Sequence, residues 1–276
     1  MGSSIAAIDS ATNPDSTRRV IIFSLGGTIA SLPTEDTSGG VVPSIEASDL
    51  VRSVPGLESL ARVESRTLRQ MSSANISFAD LVEVADAIHG AFASGVDGVV
   101  VTQGTDNIEE TSFAIDLLVR DERPVVITGA MRNPSLVGAD GPANIRAAVA
   151  VAASPRARGM GTLVVMNDEV HAARFVRKMH LSSLSAFNSP QTGPLGVVVE
   201  GRVHVYTRVE PLFSARPDGS VATVSSGEQE QIVANNGESK QQCLQQLCQS
   251  WQGNQGWSGR RESNSRSQPE KPTFLR

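Results

Sequence analysis

From residue 20 to about 212 the chain alternates short β-branched apolar runs with longer segments whose apolar residues recur at helical spacing. "RVIIFS" (19–24) reads as a strand and "FADLVEVADAIHGAFAS" (78–94) as a helix. "DGVVVTQ" then reads as a buried strand, "DNIEETSFAIDLLVR" as a helix, "PVVITGA" as a strand, "GPANIRAAVAVAAS" as a helix and "GTLVVMND" as a strand. Val/Ile runs without polar alternation belong to strands covered on both faces. The repeated βαβ units therefore predict an α/β fold: an open, mostly parallel, Rossmann-like sheet with helices on both faces and right-handed crossovers. Such sheets bind ligands beyond the carboxyl ends of their strands. Four strand-to-helix turns become the places to search: "SLGGTIAS", "TQGTDNIEET", "TGAMRNPS" and "MNDEVHAARFVRK".

Composition changes after about residue 215. The last segment is rich in Gln, Ser, Asn and Gly and holds both cysteines and both tryptophans. Its few apolar residues bury too little surface to offset the entropy of ordering it, so a largely disordered tail is expected, with a short helix near "KQQCLQQLCQSW". Three regions follow: a flexible leader over 1–19, an α/β domain over 20–215 and a low-complexity tail over 216–276. The leader lacks an apolar run of signal-peptide length, and Ala6 departs from the myristoylation pattern that "MGSS" begins. No run of apolar residues is long enough to span a membrane, so a cytoplasmic protein is expected.

A net charge of -5 with no basic stripe speaks against nucleic acid or an anionic membrane as partner and for a small-molecule ligand. Cys243 and Cys248 have no metal-ligand spacing, and His89, His171, His180 and His204 are scattered. Neither a metal nor a cofactor is expected.

The chemistry-bearing residues sit in the turns. Gly26 and Gly27 let the backbone turn sharply as the first strand ends, and Thr28 follows. On its own this motif reads equally as a tight turn or as a nucleophile. Asp106 with Glu109 three residues later fits a helix start, with Asp at the N-cap and Glu at N3. Gly104-Thr105 immediately before the acid is not required by capping, and a carboxylate here can also hold the ammonium group of an amino acid. Lys178, read singly, is a solvated charge. Brought beside Thr105 and Asp106 it becomes the base of a Thr-Lys-Asp triad, because a partly desolvated lysine can take a hydroxyl proton.

"GGTIA", "GTDNIEET", "TGAMR", "ADGPANI", "VVMND" and "GPLG", in this order and spacing, resemble the bacterial-type L-asparaginase family across about residues 20–212. The resemblance implies hydrolysis of the side-chain amide of L-asparagine to L-aspartate and ammonia through an acyl-threonine intermediate. It implies Thr28 as nucleophile, Thr105, Asp106 and Lys178 as a second catalytic triad, and Asp106 as holder of the substrate ammonium. Gly27 and Ser73 would bind substrate, Ser73 through its α-carboxylate, and the backbone carbonyl of Ala130 would receive the amide nitrogen. Backbone N–H groups at the glycine turns and at the helix start after Thr105 are expected as oxyanion donors.

The sequence departs from the family pattern in three places. Ala74 stands where glutamine is frequent, the loop "SLPTEDTSGGVVPS" lacks the tyrosine that often follows the nucleophile, and residues from about 216 do not resemble the family's smaller C-terminal domain. Family members form dimers or tetramers with that domain's help, so assembly and full activity are expected to suffer. Two alternatives stand beside the amidohydrolase: the glutaminase component of a tRNA-dependent amidotransferase, and a non-catalytic ligand-binding remnant. The preference between asparagine and glutamine stays open.

Overall fold

The structure is a computed structural model that describes residues 18–33, 41–209, 213–215 and 221–223. Eight strands form its main sheet: β1 (Arg19–Gly26), β2 (Arg62–Met71), β3 (Gly98–Thr102), β4 (Val125–Thr128), β5 (Thr162–Met166), β6 (Glu169–Ala172), β7 (Gly196–Val199) and β8 (Arg202–Val205). Their order across the sheet is β8-β7-β6-β5-β4-β3-β1-β2. Strands β2, β1, β3, β4 and β5 run parallel, while β6, β7 and β8 extend the sheet in antiparallel fashion. The mostly parallel sheet read from the Val/Ile runs is therefore present, with an antiparallel extension at one side.

Among the described residues four helices cover the sheet: α1 (Ala47–Arg52), α2 (Phe78–Ala93), α3 (Ile108–Leu118) and α4 (Gly141–Ala153). Strand periodicity divides the core in two. Val100 and Val126 pack with Leu50 of α1 and with Ile145, Ala148 and Val149 of α4 on one face. Val99, Val101, Val125 and Ile127 pack with Val84 and Ile88 of α2 and Ile115 of α3 on the other. Every residue of β3, β4 and β5 is buried, as continuous apolar runs require. Helix α2 begins with a capping box in which Ser77 and Asp80 satisfy each other's backbone N–H groups.

Two local expectations are corrected. "MNDEVHAARFVRK" is not a strand-to-helix turn: β5 reverses into β6 through Asn167 and Asp168, whose φ angles are 51° and 63°. Positive φ at both central residues is the requirement of a tight hairpin, and Asn and Asp tolerate it best after Gly. Lys178 consequently lies on a two-residue strand, Arg177–Lys178, paired antiparallel with Phe187–Asn188.

The second correction concerns Asp106, which does not cap a helix. Thr105–Asn107 forms a 3-10 turn, and α3 begins only at Ile108 with Asn107 at its N-cap position and no side-chain cap. The carboxylates of Asp106 and Glu109 are engaged elsewhere. Residues 1–17 of the expected 1–19 leader, the short helix expected near 240–251 and the centre of the loop after the first motif (34–40) lie outside the described residues, while Arg19 opens β1. Beyond β8, Phe213–Ala215 pairs antiparallel with Val221–Thr223. No helix among the described residues is long and apolar enough to cross a membrane.

Candidate active site

Three loops at the carboxyl ends of β1, β3 and β4 meet through glycines. Gly27 has φ 81°, and a Cβ built on it would overlap the backbone N and Cα of Gly104. A Cβ on Gly104 would lie 2.7 Å from Ser73 Oγ, and one on Gly129 would lie 2.7 Å from the carbonyl oxygen of Gln103. The glycines thus clear space for neighbouring loops. That contact sets Thr28 and Thr105, each the residue after its glycine, at the same end of adjacent parallel strands.

Thr28 is partly exposed and opens the 3-10 turn Thr28–Ala30. Ser31 Oγ donates to the Gly27 carbonyl at 2.7 Å and fastens this turn. The Gly27 N–H donates to the Met71 carbonyl at 3.1 Å. Of the N–H groups at the glycine turns, that of Gly27 is thus engaged in tying the first loop to the end of β2.

Lys178 carries the central geometry. Its Nζ donates to Thr105 Oγ1 at 2.8 Å and to Asp106 Oδ1 at 2.8 Å. Thr105 is 7% exposed and the Lys178 side chain 9%, whereas the Asp106 side chain is 59% exposed. The ammonium is therefore desolvated at its threonine side, and the carboxylate presents an open oxygen edge to solvent. The three residues form one charge-assisted cluster across 73 positions of sequence.

Ser73 lies beneath this cluster and is 2% exposed. Its Oγ accepts the Asp106 N–H at 3.3 Å, and its carbonyl accepts from Asn107 Nδ2 at 2.9 Å. Ser73 braces the second loop; its hydroxyl hydrogen is still available for donation, since a hydroxyl both accepts and donates.

Ala130, buried after β4, owes its setting to residues that the sequence reading left unassigned. Asp140 Oδ2 accepts the Met131 N–H and Asp140 Oδ1 accepts the Arg132 N–H, each at 2.9 Å. A trans peptide directs its C=O opposite to its N–H, so the Ala130 carbonyl points away from Asp140. Asn144 Nδ2 donates to the Gly129 carbonyl and to Asp140 Oδ2, each at 3.0 Å, while its Oδ1 accepts the Asn167 N–H at 3.0 Å. Asp140 and Asn144 sit one helical turn apart in "ADGPANI". Two carboxamide or carboxylate groups at that spacing, at a helix start beside a ligand loop, were the available signal.

The chain is thus an open, mostly parallel α/β sheet that gathers a Thr-Lys-Asp cluster beside the carboxyl ends of its strands. The chain belongs to the asparaginase family: the model of the family's N-terminal domain, "Asparaginase, N-terminal", matches residues 19–211. An L-asparaginase of Bacillus licheniformis is 38% identical over 195 residues, covering 70% of this chain and 59% of the relative. A glutaminase-asparaginase of Pseudomonas fluorescens biotype A is 34% identical over 210 residues, covering 75% of this chain and 58% of the relative. The crystal structure of a probable cytoplasmic L-asparaginase from Campylobacter jejuni superposes with a TM-score of 0.67 at 36% identity, over 70% of this chain and 60% of that one. The chain thus spans less than two thirds of the length of these relatives.

Proposed function

We propose that the chain hydrolyses the side-chain amide of L-asparagine to L-aspartate and ammonia, with residues 20–215 as the catalytic unit. The observation that carries this reading is the placement of Lys178 Nζ at 2.8 Å from both Thr105 Oγ1 and Asp106 Oδ1, beside the loop that bears Thr28. The relatives named L-asparaginase support the same substrate.

In this mechanism the exposed Asp106 carboxylate holds the substrate's α-ammonium, and the Ser73 hydroxyl donates to its α-carboxylate. Thr28 Oγ attacks the amide carbon while its proton leaves through neighbouring groups. The amide nitrogen, positioned by the Ala130 carbonyl, takes up a proton and departs as ammonia. Lys178 and Thr105 carry protons during the two half-reactions, the Lys178 Nζ lying 2.8 Å from Thr105 Oγ1 in a largely buried setting. The N–H groups of Thr28 and Thr105, which lead their turns, stabilise the oxyanion, while the Asp106 N–H is held by Ser73 Oγ. Water then hydrolyses the Thr28 ester and releases aspartate. The neighbour described as cytoplasmic supports action in the cytoplasm, and the partner of the site is a free amino-acid amide.

A coupled ammonia assay tests this reading on the wild type and on Thr28→Ala. Release from L-asparagine that disappears in the variant is the expected result. No release from L-asparagine or L-glutamine, with asparagine binding retained, would replace the amidohydrolase by a binding remnant. L-Glutamine belongs in the assay because a glutaminase-asparaginase is among the relatives. One methylene in a pocket is worth about 1–3 kcal/mol, so the ratio of the two rates reads the fit of the site directly.

A further inference from the structure

The ribbon that bears Lys178 has two residues per strand, which is little backbone pairing for a side chain that must meet two partners at once. Glu109, on the first turn of α3, supplies what the ribbon lacks. Its residue is 4% exposed, its Oε1 accepts the Lys178 backbone N–H at 2.6 Å, and its Oε2 accepts from Arg177 Nη1 at 3.2 Å. Thr105, Asp106 and Glu109 belong to one continuous turn-and-helix segment. That segment grips Lys178 at both ends: the ammonium through Thr105 and Asp106, the backbone through Glu109.

We infer that Glu109 is a positioning residue, whose carboxylate sets the backbone of Lys178 so that its amine reaches Thr105 and Asp106; its effect on turnover rests on the amide-hydrolysis reading above. The physical requirement is reach. A carboxylate that bridges two adjacent residues of a short ribbon fixes both its height and its rotation, and a displacement of about 1 Å at a reacting group costs on the order of a hundredfold in rate. Arg177 balances the buried negative charge, so the clamp adds no uncompensated ion to the interior.

The test separates reach from charge. Glu109→Gln keeps the length and an acceptor oxygen for the Lys178 N–H, whereas Glu109→Asp keeps the charge and withdraws it by one methylene. The expected order of kcat is wild type, then Glu109→Gln, then Glu109→Asp and Glu109→Ala, with KM for L-asparagine held within about threefold. In a Lys178→Met background the Glu109 substitutions should cause no further loss, because the lysine through which they act is gone. Kcat higher in Glu109→Asp than in Glu109→Gln, or an equal further loss in the Lys178→Met background, overturns the inference.

A second arm does not depend on turnover. Acylation of the folded protein with N-acetoxysuccinimide, read by peptide mass spectrometry and normalised to Lys240 and Lys271, reports the accessibility of the Lys178 amine. Glu109→Asp and Glu109→Ala are expected to raise the Lys178 rate about tenfold, and Glu109→Gln less than threefold. Unchanged labelling in Glu109→Asp, with an unaltered circular dichroism spectrum, overturns the clamp. A wild type that releases no ammonia defeats the amide-hydrolysis reading alone, and the labelling arm still decides the role of Glu109.

Discussion

The backbone of Gly27 lies so close to that of Gly104 that a methyl group on Gly27 would occupy the space of the Gly104 backbone. Both glycines follow parallel strands, and the contact joins the loop of Thr28 to the loop of Thr105. Gly27→Ala is expected to separate the loops or strain them, since its φ of 81° also disfavours a side chain. Overpacking at such a contact costs about 1–3 kcal/mol. Thermal unfolding should show a Tm lower by about 3–10 °C, with ammonia release lost more completely than stability. A variant with wild-type Tm and rate would show that the loops slide past each other freely.

Lys178→Met removes the amine that meets Thr105 Oγ1 and Asp106 Oδ1 while keeping a similar apolar stem. The expected loss in kcat for L-asparagine is on the order of 10²–10⁴, the range typical of a positioned acid-base group. Lys178→Arg should fail to restore it, because a guanidinium keeps its proton at any accessible pH. Steady-state kinetics check both, and a loss below about fivefold in Lys178→Met would remove the lysine from the proton path.

Asn144 joins three elements: Gly129 after β4, Asp140 at the start of α4 and Asn167 in the β5–β6 hairpin. Asn144→Leu leaves the buried Gly129 carbonyl without this partner, and with it the N–H of the exposed hairpin residue Asn167. A buried orphaned group costs about 1–3 kcal/mol, so chemical denaturation should report a loss of about that size. The loop carrying Ala130 should loosen with it, raising KM for the amide. Unchanged stability would mean that water or backbone shifts replace all three bonds.

The pH dependence of stability has two opposing contributors. His171 is fully buried with Nδ1 3.0 Å from Ser189 Oγ, and burial lowers its pKa from 6.5 to about 4. A depressed pKa means stability that is present above pH 6.5 and lost as the pH falls through about 4, amounting to roughly 3 kcal/mol at one pKa unit per 1.36 kcal/mol. Burial raises the Asp116 carboxyl to about 6, although the Thr162 N–H at 2.5 Å and the charge of Arg174 oppose the rise. Its folded state favours the protonated acid, so Asp116 adds stability as the pH falls from about 6 to below 4. His171→Gln should therefore flatten the acid side of the stability curve, and Asp116→Asn should steepen it. Denaturant unfolding at pH 7, 5.5 and 4.5 measures both slopes; equal slopes in the two variants would contradict this assignment.

Much of the site's address is legible in the sequence alone. The Val/Ile runs of 98–103, 124–130 and 161–166 announce strands buried on both faces, and the chemistry-bearing residues follow those runs because loops at strand ends are free to vary. The role of Asp106 was less legible. Its spacing to Glu109 satisfies the rule for a helix cap, and local sequence carries no record of the lysine 72 positions later that takes the carboxylate instead. The hairpin at Asn167 and Asp168 is indistinguishable from a helix entry in sequence for a related reason: a strand followed by polar residues precedes either, and the left-handed φ values that distinguish them appear only when β6 pairs back on β5.

The sequence by itself determined the alternation of strands and helices, the loops in which the ligand site must lie, and the family, because periodicity and motif spacing are properties of neighbouring residues. Only the tertiary structure decided that Gly27 makes room for Gly104, that the Gly27 N–H belongs to Met71, and that Lys178 is held at its tip by Thr105 and Asp106 and at its backbone by Glu109. Those relationships join residues 44 to 77 positions apart through contacts of a few ångströms. Their energies depend on burial and distance, and neither quantity exists until the sheet has brought the loops to one edge.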